Sequence, residues 1–216
     1  MGYRNEENEI VGFDIDVAEE VCKRLGVELK VQPISWDAKE QELNSYNIDC
    51  IWNGMSKTEE RENLMSLSNA YMKNSMVFVT KNDNPYNSTK ELENKVIGVQ
   101  SGSSAEEILE GSELYEQFKN VISYEDNITA FMDLEINQTD AVFVDEVLAN
   151  YYIKSNNKDY KVINESLEEE DYVIGFRKQD TELCNKVNEI LKELKNDGSL
   201  KKISEKWFGK DVTTIK

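Results

Sequence analysis

An α/β fold arranged as two successive units is what this sequence predicts, and three observations lead there. Helix, strand, helix and strand follow one another between Phe13 and Trp52. A second run of the same kind starts after the polar loop at 82–88. The third is size: 216 residues with 39% hydrophobic content suffice for a real core and exceed the usual size of a single domain, although length alone leaves one or two domains open. Strands alternating with helices pair in parallel, and ligands then collect at the carboxyl ends of the strands. In the first unit those ends fall near Trp36 and Asn53.

The elements follow in order. FDIDVAEEVCKRL at 13–25 places Val17, Val21, Cys22 and Leu25 at helical spacing, and Gly26 is a natural stop just past the end. Residues 27–34, VELKVQPI, alternate apolar and polar side chains and predict a half-buried strand. A second helix is predicted over 39–44, and DCIW at 49–52 reads as a short buried strand. In the second unit Leu92 leads into a predicted strand, KVIGV at 95–99. A Gly/Ser turn, a helix through Ala105 and Leu109, and another short buried strand, DAVFV at 140–144, come next. The chain then returns to helix. Val187, Ile190, Leu191 and Leu194 stand at i, i+3, i+4 and i+7, residues 196–198 interrupt, and a last helix runs toward Trp207 and Phe208. The acidic run at 168–171 reads as a solvated loop or the start of a strand.

Charge and composition narrow the function. With 25 Lys and Arg against 43 Asp and Glu the net charge is −18, so the protein's own field opposes phosphate backbones and anionic lipid, and no nucleic-acid partner is expected. No apolar run approaches the length of a membrane span, and no export-signal pattern occurs in these residues. Histidine is absent, which removes the commonest general base and the commonest zinc ligand. Cys22, Cys50 and Cys184 have no CxxC spacing and an odd count, so each reads as a small buried or half-buried residue. No cofactor and no metal are expected, and catalysis would have to rest on carboxylates, lysines or tyrosines.

Five segments stand in order across nearly the whole chain: GFDIDVAEEVCKRLGV from Gly12, IDCIWNGMSKTEER from Ile48, KVIGVQSGSSAEEIL from Lys95, TDAVFVDEVLANYYI from Thr139 and NDGSLKKISEKWFG from Asn196. Together they resemble the bacterial periplasmic-type (family 3) amino-acid-binding proteins that feed ABC importers. The resemblance implies the two-lobed type II periplasmic-binding-protein fold. Each lobe is then a mostly parallel sheet flanked by helices, and two crossing strands join lobe 1 (1–74 and 178–216) to lobe 2 (75–177). It implies a monomeric, extracytoplasmic, non-catalytic subunit that closes on a free amino acid by hinge motion and delivers it to a membrane permease.

By the same resemblance Arg61 grips the ligand α-carboxylate, helped by backbone N–H near Ser56. A planar guanidinium suits this because it gives two parallel charge-assisted hydrogen bonds that lysine cannot reproduce. Ser103 and Ser104, in the SGSSA turn before a helix, add N–H groups and a positive helix end for the same carboxylate. Asp145 is the implied acceptor for the α-ammonium, completed by the Gly54 carbonyl and the Ser56 hydroxyl. Trp36, Asn53 and Gln100 line the side-chain pocket, and two amides beside one aromatic favour a polar ligand.

Each assignment has a plainer alternative. Arg61 could be a surface ion-pair residue, Asp145 an N-cap, and Ser101, Ser103 and Ser104 a simple turn with Gly102. Trp36 could be core, and the two amides could bond neighbouring backbone. Trp52 and Trp207 read as structural, and Asp14 and Asp16 as solvated or capping. Relatives open with a strand before YRNEENEIVGFD, so the resemblance further implies that the first strand of lobe 1 is missing here, together with an export signal and a lipid-anchor cysteine. Two other functions remain open on the same fold. One is a dehydratase of the cyclohexadienyl or prephenate type, which would need its own acid aimed into the pocket; the other is the sensor domain of a receptor.

Overall fold

The computed structural model describes residues 1–5, 7–163, 165, 167 and 169–215. Of the acidic run at 168–171, Glu168 lies outside the described residues. A short antiparallel hairpin opens the chain, β1 (Gly2–Arg4) against β2 (Ile10–Gly12), with Asn8 at φ 65° in its turn. α1 (Phe13–Leu25) follows and ends at Gly26, whose φ of 71° is the left-handed cap that glycine adopts without steric cost.

Residues 27–34 depart from the expectation of a strand. The segment carries no strand, and Val27 and Val31 are 56% and 38% exposed. A strand needs a neighbour for its N–H and C=O groups and a core under its apolar face, and among the described residues no ladder reaches this segment. Alternation without a neighbour therefore leaves the backbone to water.

The chain continues through α2 (Lys39–Asn44), β3 (Cys50–Ser56), α3 (Glu59–Leu64), β4 (Met65–Leu67), β5 (Met72–Lys81), β6 (Val96–Gln100), α4 (Ser104–Gly111), β7 (Asn120–Tyr124) and α5 (Asn127–Glu135). It closes with β8 (Ala141–Asp145), α6 (Glu146–Ser155), β9 (Tyr160–Ile163), β10 (Glu169–Arg177), α7 (Thr181–Asn196) and α8 (Ser199–Phe208). Two compact units result. Unit 1 holds 1–34, 39–73 and 171–216; unit 2 holds 35–38 and 74–170. The boundaries thus fall inside β5 and β10, the second one at 170/171 where the sequence reading set it at 177/178. Segment 35–38, with Trp36, groups with unit 2 and not with the lobe in which the sequence placed it.

In unit 1, β10 pairs antiparallel with β3 (Tyr172 opposite Ser56) and with β4 (Phe176 opposite Ser66), so these ladders are antiparallel where parallel ones were expected. α7 and α8 pack on α1. α7 buries the stripe Cys184, Val187, Ile190, Leu191 and Leu194, and the last four carry the periodicity read from the sequence. Phe13 is 1% exposed and lies 6.3 Å from the Tyr71 ring and 5.3 Å from Phe208. A buried cation, Arg177, ties β10 to the connection between α2 and β3: Nη1 donates to the carbonyls of Leu43 (3.2 Å) and Ile48 (2.6 Å), and Nε to Asp180 (2.5 Å). Such a guanidinium is tolerable in the interior because its donors are spent.

In unit 2, β6 runs parallel to both β7 and β8, and β5 runs antiparallel to β8 and β9, giving a mixed sheet. Side chains alternate faces along each strand. Val77, Val79, Val142 and Val144 pack with Phe131 and Tyr152 under α5 and α6. Met76, Phe78, Ala141 and Phe143 pack on the opposite face with Ala105 and Leu109 of α4. Because β6 and β8 are parallel, their carboxyl ends, Gln100 and Asp145, emerge at the same edge of the sheet.

Candidate functional site

The residues singled out in the sequence are divided between the units, and each half is described by itself. In unit 1, Arg61 sits in α3, whose N-cap Thr58 accepts from the Arg61 N–H at 3.3 Å. Three consecutive helix-forming acidic or basic residues after a threonine cap are what start this short helix. Arg61 is 3% exposed, which removes the surface ion-pair alternative. Its Nη1 donates to the Ser56 carbonyl at 2.7 Å, and Ser56, at the end of β3, is 2% exposed. That bond restricts the plane of the guanidinium.

Gly54 lies two residues before Ser56 at φ 55°, and its N–H donates to Asp14 Oδ2 at 2.8 Å. Asp14 is 1% exposed and also pairs with the chain's amino group. It is neither solvated nor a helix cap, because its partners are remote in sequence. Asp16 accepts from Lys206 Nζ (2.6 Å) and Trp207 Nε1 (2.8 Å), so Trp207 serves the packing of α8 on α1. Asn53 is exposed, and its amide is engaged with Gly2: Oδ1 accepts from the Gly2 N–H at 2.6 Å and Nδ2 donates to the Gly2 carbonyl at 3.2 Å.

In unit 2, Ser103 is the N-cap of α4. Its hydroxyl accepts from the Glu106 N–H at 3.2 Å and donates to the Gln100 carbonyl at 2.6 Å. Glu106 reaches back to the Gly102 N–H at 2.8 Å, a capping arrangement that uses one of the turn's donors. Gly102 is at φ 64°, and a Cβ there would collide with the Asp37 carboxylate, so the turn requires glycine. Ser104, 5% exposed, opens the helix itself. The Gln100 amide is engaged at both ends, Oε1 with Asn127 Nδ2 (2.9 Å) and Nε2 with the Glu125 carbonyl (3.3 Å). Trp36 is half-buried at the start of a 3-10 turn.

Asp145 ends β8 and precedes α6, yet its side chain makes no capping hydrogen bond to that helix. It accepts instead from Asn74 Nδ2 at 2.9 Å. The same nitrogen reaches Glu170 Oε2 at 3.4 Å, and Glu170 is 8% exposed, so this member of the acidic run is buried and not solvated. Sequence reasoning passed over Asn74 and read Glu170 only as part of the acidic run, whose second alternative, the start of a strand, holds at β10. The signal was available for Glu170, which shares strand parity with the buried Tyr172, Ile174 and Phe176. Among the described residues no group of three or more His, Cys, Asp or Glu side chains could hold a metal ion, and no helix is long and apolar enough to cross a membrane.

A family model described as bacterial extracellular solute-binding proteins, family 3, matches residues 1–210. An L-cystine-binding protein of Escherichia coli strain K12 is 30% identical over 215 residues, covering 99% of this chain and 80% of the relative. An arginine-binding extracellular protein of Bacillus subtilis is 32% identical over 209 residues, covering 95% and 80%. Among solved structures, the substrate-binding protein of an ABC uptake transporter from Streptococcus pneumoniae with bound histidine superposes at a TM-score of 0.94 with 39% identity, covering 99% of this chain and 89% of that one.

Proposed function

The chain belongs to the bacterial extracellular solute-binding proteins, family 3, and from that membership we propose that it captures a free amino acid outside the cytoplasm and delivers it to the permease of an ABC importer. The observation that carries the reading is the buried Arg61 guanidinium held on the Ser56 carbonyl. A buried cation oriented by one backbone acceptor suits an anion that arrives as a carboxylate. In this reading Arg61 takes the α-carboxylate, with N–H groups near Ser56, Ser103 and Ser104, and Asp145 takes the α-ammonium. The Gly54 carbonyl and Trp36 contribute further contacts.

Relatives named for cystine, arginine and histidine set the range of ligands to try. Asn53 and Gln100 already hold local partners, so in our reading they buttress the site and choose the side chain only if those bonds are exchanged. We read the protein as a monomeric binder and not a catalyst, since Asp145 is tied to an amide that orients it as an acceptor.

A thermal melt repeated with millimolar amounts of each standard amino acid and of cystine tests this. A ligand at about 100 times its dissociation constant adds roughly 2.7 kcal/mol, or a shift of about 5 to 10 °C in a chain of this size. A cooperative melt indifferent to every amino acid would sink the proposal.

A further inference from the structure

The chain passes from unit 1 to unit 2 at 73/74, inside β5, and returns at 170/171, inside β10. On the unit 1 side the two crossings are bonded to each other, because the Tyr71 N–H donates to the Tyr172 carbonyl at 3.0 Å. The Tyr71 carbonyl serves a different segment. It accepts from the Thr214 N–H at 3.0 Å, and the next residue, Met72, forms an antiparallel bridge with Thr213. Residues 211–215 thus run alongside the root of β5. Tyr71 and Met72 are 0% exposed and Tyr172 is 1% exposed, so water does not compete for these bonds. The segment is itself held on unit 1. The hydroxyl of the fully buried Ser204, in α8, donates to the Lys210 carbonyl at 2.9 Å and accepts from the Val212 N–H at 3.0 Å. Asp211 accepts from the Thr213 N–H (3.0 Å) and hydroxyl (2.7 Å), and Lys195 of α7 donates to the carbonyl of the buried Ile215. The segment lies past residue 210, where the match to the family model stops, so family membership does not account for it.

We propose that residues 211–215 are a strap that holds the unit 1 roots of both crossings in register, and that the strap raises affinity for the captured ligand without touching it. The inference rests on the capture proposed above, with the closure by hinge motion that the family resemblance implies, and adds residues outside the site. Hinges are a few element-terminal residues that absorb changes in φ and ψ. Anchored roots confine such changes to fewer residues. With the strap loosened, the backbone at Tyr71 and Tyr172 gains freedom before ligand arrives, and binding must then remove it. Affinity falls although every ligand contact is unchanged.

Isothermal titration of the full chain decides it, with wild type, Thr214→Pro, Ser204→Ala and, as a control, Asp197→Asn. The titrant is the standard L-amino acid, or L-cystine, that most raises the melting temperature. Proline at 214 removes the N–H that the Tyr71 carbonyl accepts, and alanine at 204 removes both bonds that seat the strap on α8. The control removes an ion pair with Arg24 that has no part in the strap. At a temperature where each is fully folded, both strap variants are expected to bind about threefold more weakly, within the range for mutations that act without contacting the ligand. Hydrogen exchange at the Tyr71 amide is expected to quicken in them, and Asp197→Asn is expected to melt lower while binding as wild type does. If a folded strap variant binds as wild type does, the strap serves stability alone and the inference is wrong. The same holds if Asp197→Asn weakens binding by the same factor, since affinity would then follow stability. If neither strap variant melts cooperatively, the segment is a folding element and the inference is overturned. A wild type that binds no amino acid takes the proposed function down together with the inference.

Discussion

The Arg61 guanidinium donates through Nη1 to the carbonyl of Ser56, five residues earlier, at 2.7 Å, and both residues are almost fully buried. One donor of the fork is thereby spent on backbone, which fixes the plane in which the others lie. Arg61→Lys keeps the charge but loses the plane, since an ammonium on a flexible stem cannot hold Ser56 and grip a carboxylate bidentately at once. Amino-acid affinity is expected to fall about tenfold or more, equivalent to roughly 1.4 kcal/mol. Titration calorimetry reads it, and an unchanged dissociation constant removes Arg61 from the site.

Gly102 bears on the other half of the proposed site. At φ 64° an alanine would be forced into left-handed backbone, and its methyl group would meet the Asp37 carboxylate. The backbone term alone costs about 1–2 kcal/mol. Gly102→Ala is expected to lower the urea midpoint accordingly and to weaken amino-acid binding, because the cap between Glu106 and the Gly102 N–H must shift. A variant with the wild-type midpoint would show that the turn has room to relax.

How much of this was legible beforehand differs residue by residue. α1 and α7 were readable because a helix satisfies its own backbone, so spacing and a terminal glycine carry nearly all the information. The buried strand β8 was readable from its composition. Residues 27–34 were not, because alternation states what a strand would bury and says nothing of whether a neighbour exists to pair with it. Asn53 and Gln100 show the same limit at the level of one side chain. Their amides are used by Gly2, Asn127 and Glu125, partners that only the fold brings within reach. Asp14 was misread for that reason too, since its burial depends on Gly54, forty residues away.

Asp197, just past α7, supplies a pH test. The hydrogen bond from Arg24, and then those from the Ser199 hydroxyl and N–H, hold its carboxyl down at about 2, below the ordinary 3.8. A depressed folded pKa stabilises the fold above the unfolded value, and that contribution is lost as pH falls through the folded one. Asp197→Asn is therefore expected to melt lower than wild type near neutral pH, with the gap closing between about pH 4 and about pH 2. Melts along that series check it. A gap of constant size down to the acid limit would assign the loss to packing and not to charge.

The segment 27–34 offers the sharpest contrast between pattern and pairing. If its alternating residues belonged to a half-buried strand, replacing Val27 and Val31 together by lysine would put two charges against a core and cost well over 1.5 kcal/mol, the range for burying unpaired polar groups. In the structure Val27 is 56% and Val31 38% exposed, and no ladder reaches them among the described residues. The double variant is thus expected to stay within about 0.5 kcal/mol of wild type, as surface substitutions do. Hydrogen exchange gives an independent reading, because unpaired amides exchange at near-unfolded rates while paired ones wait for an opening. The amides of 28–32 should exchange fast while those of Val142 and Val144, inside a sheet on both sides, stay protected. A large destabilisation together with slow exchange at 28–32 would mean that the segment finds a strand partner in solution, and the pattern in the sequence would then have been the better guide.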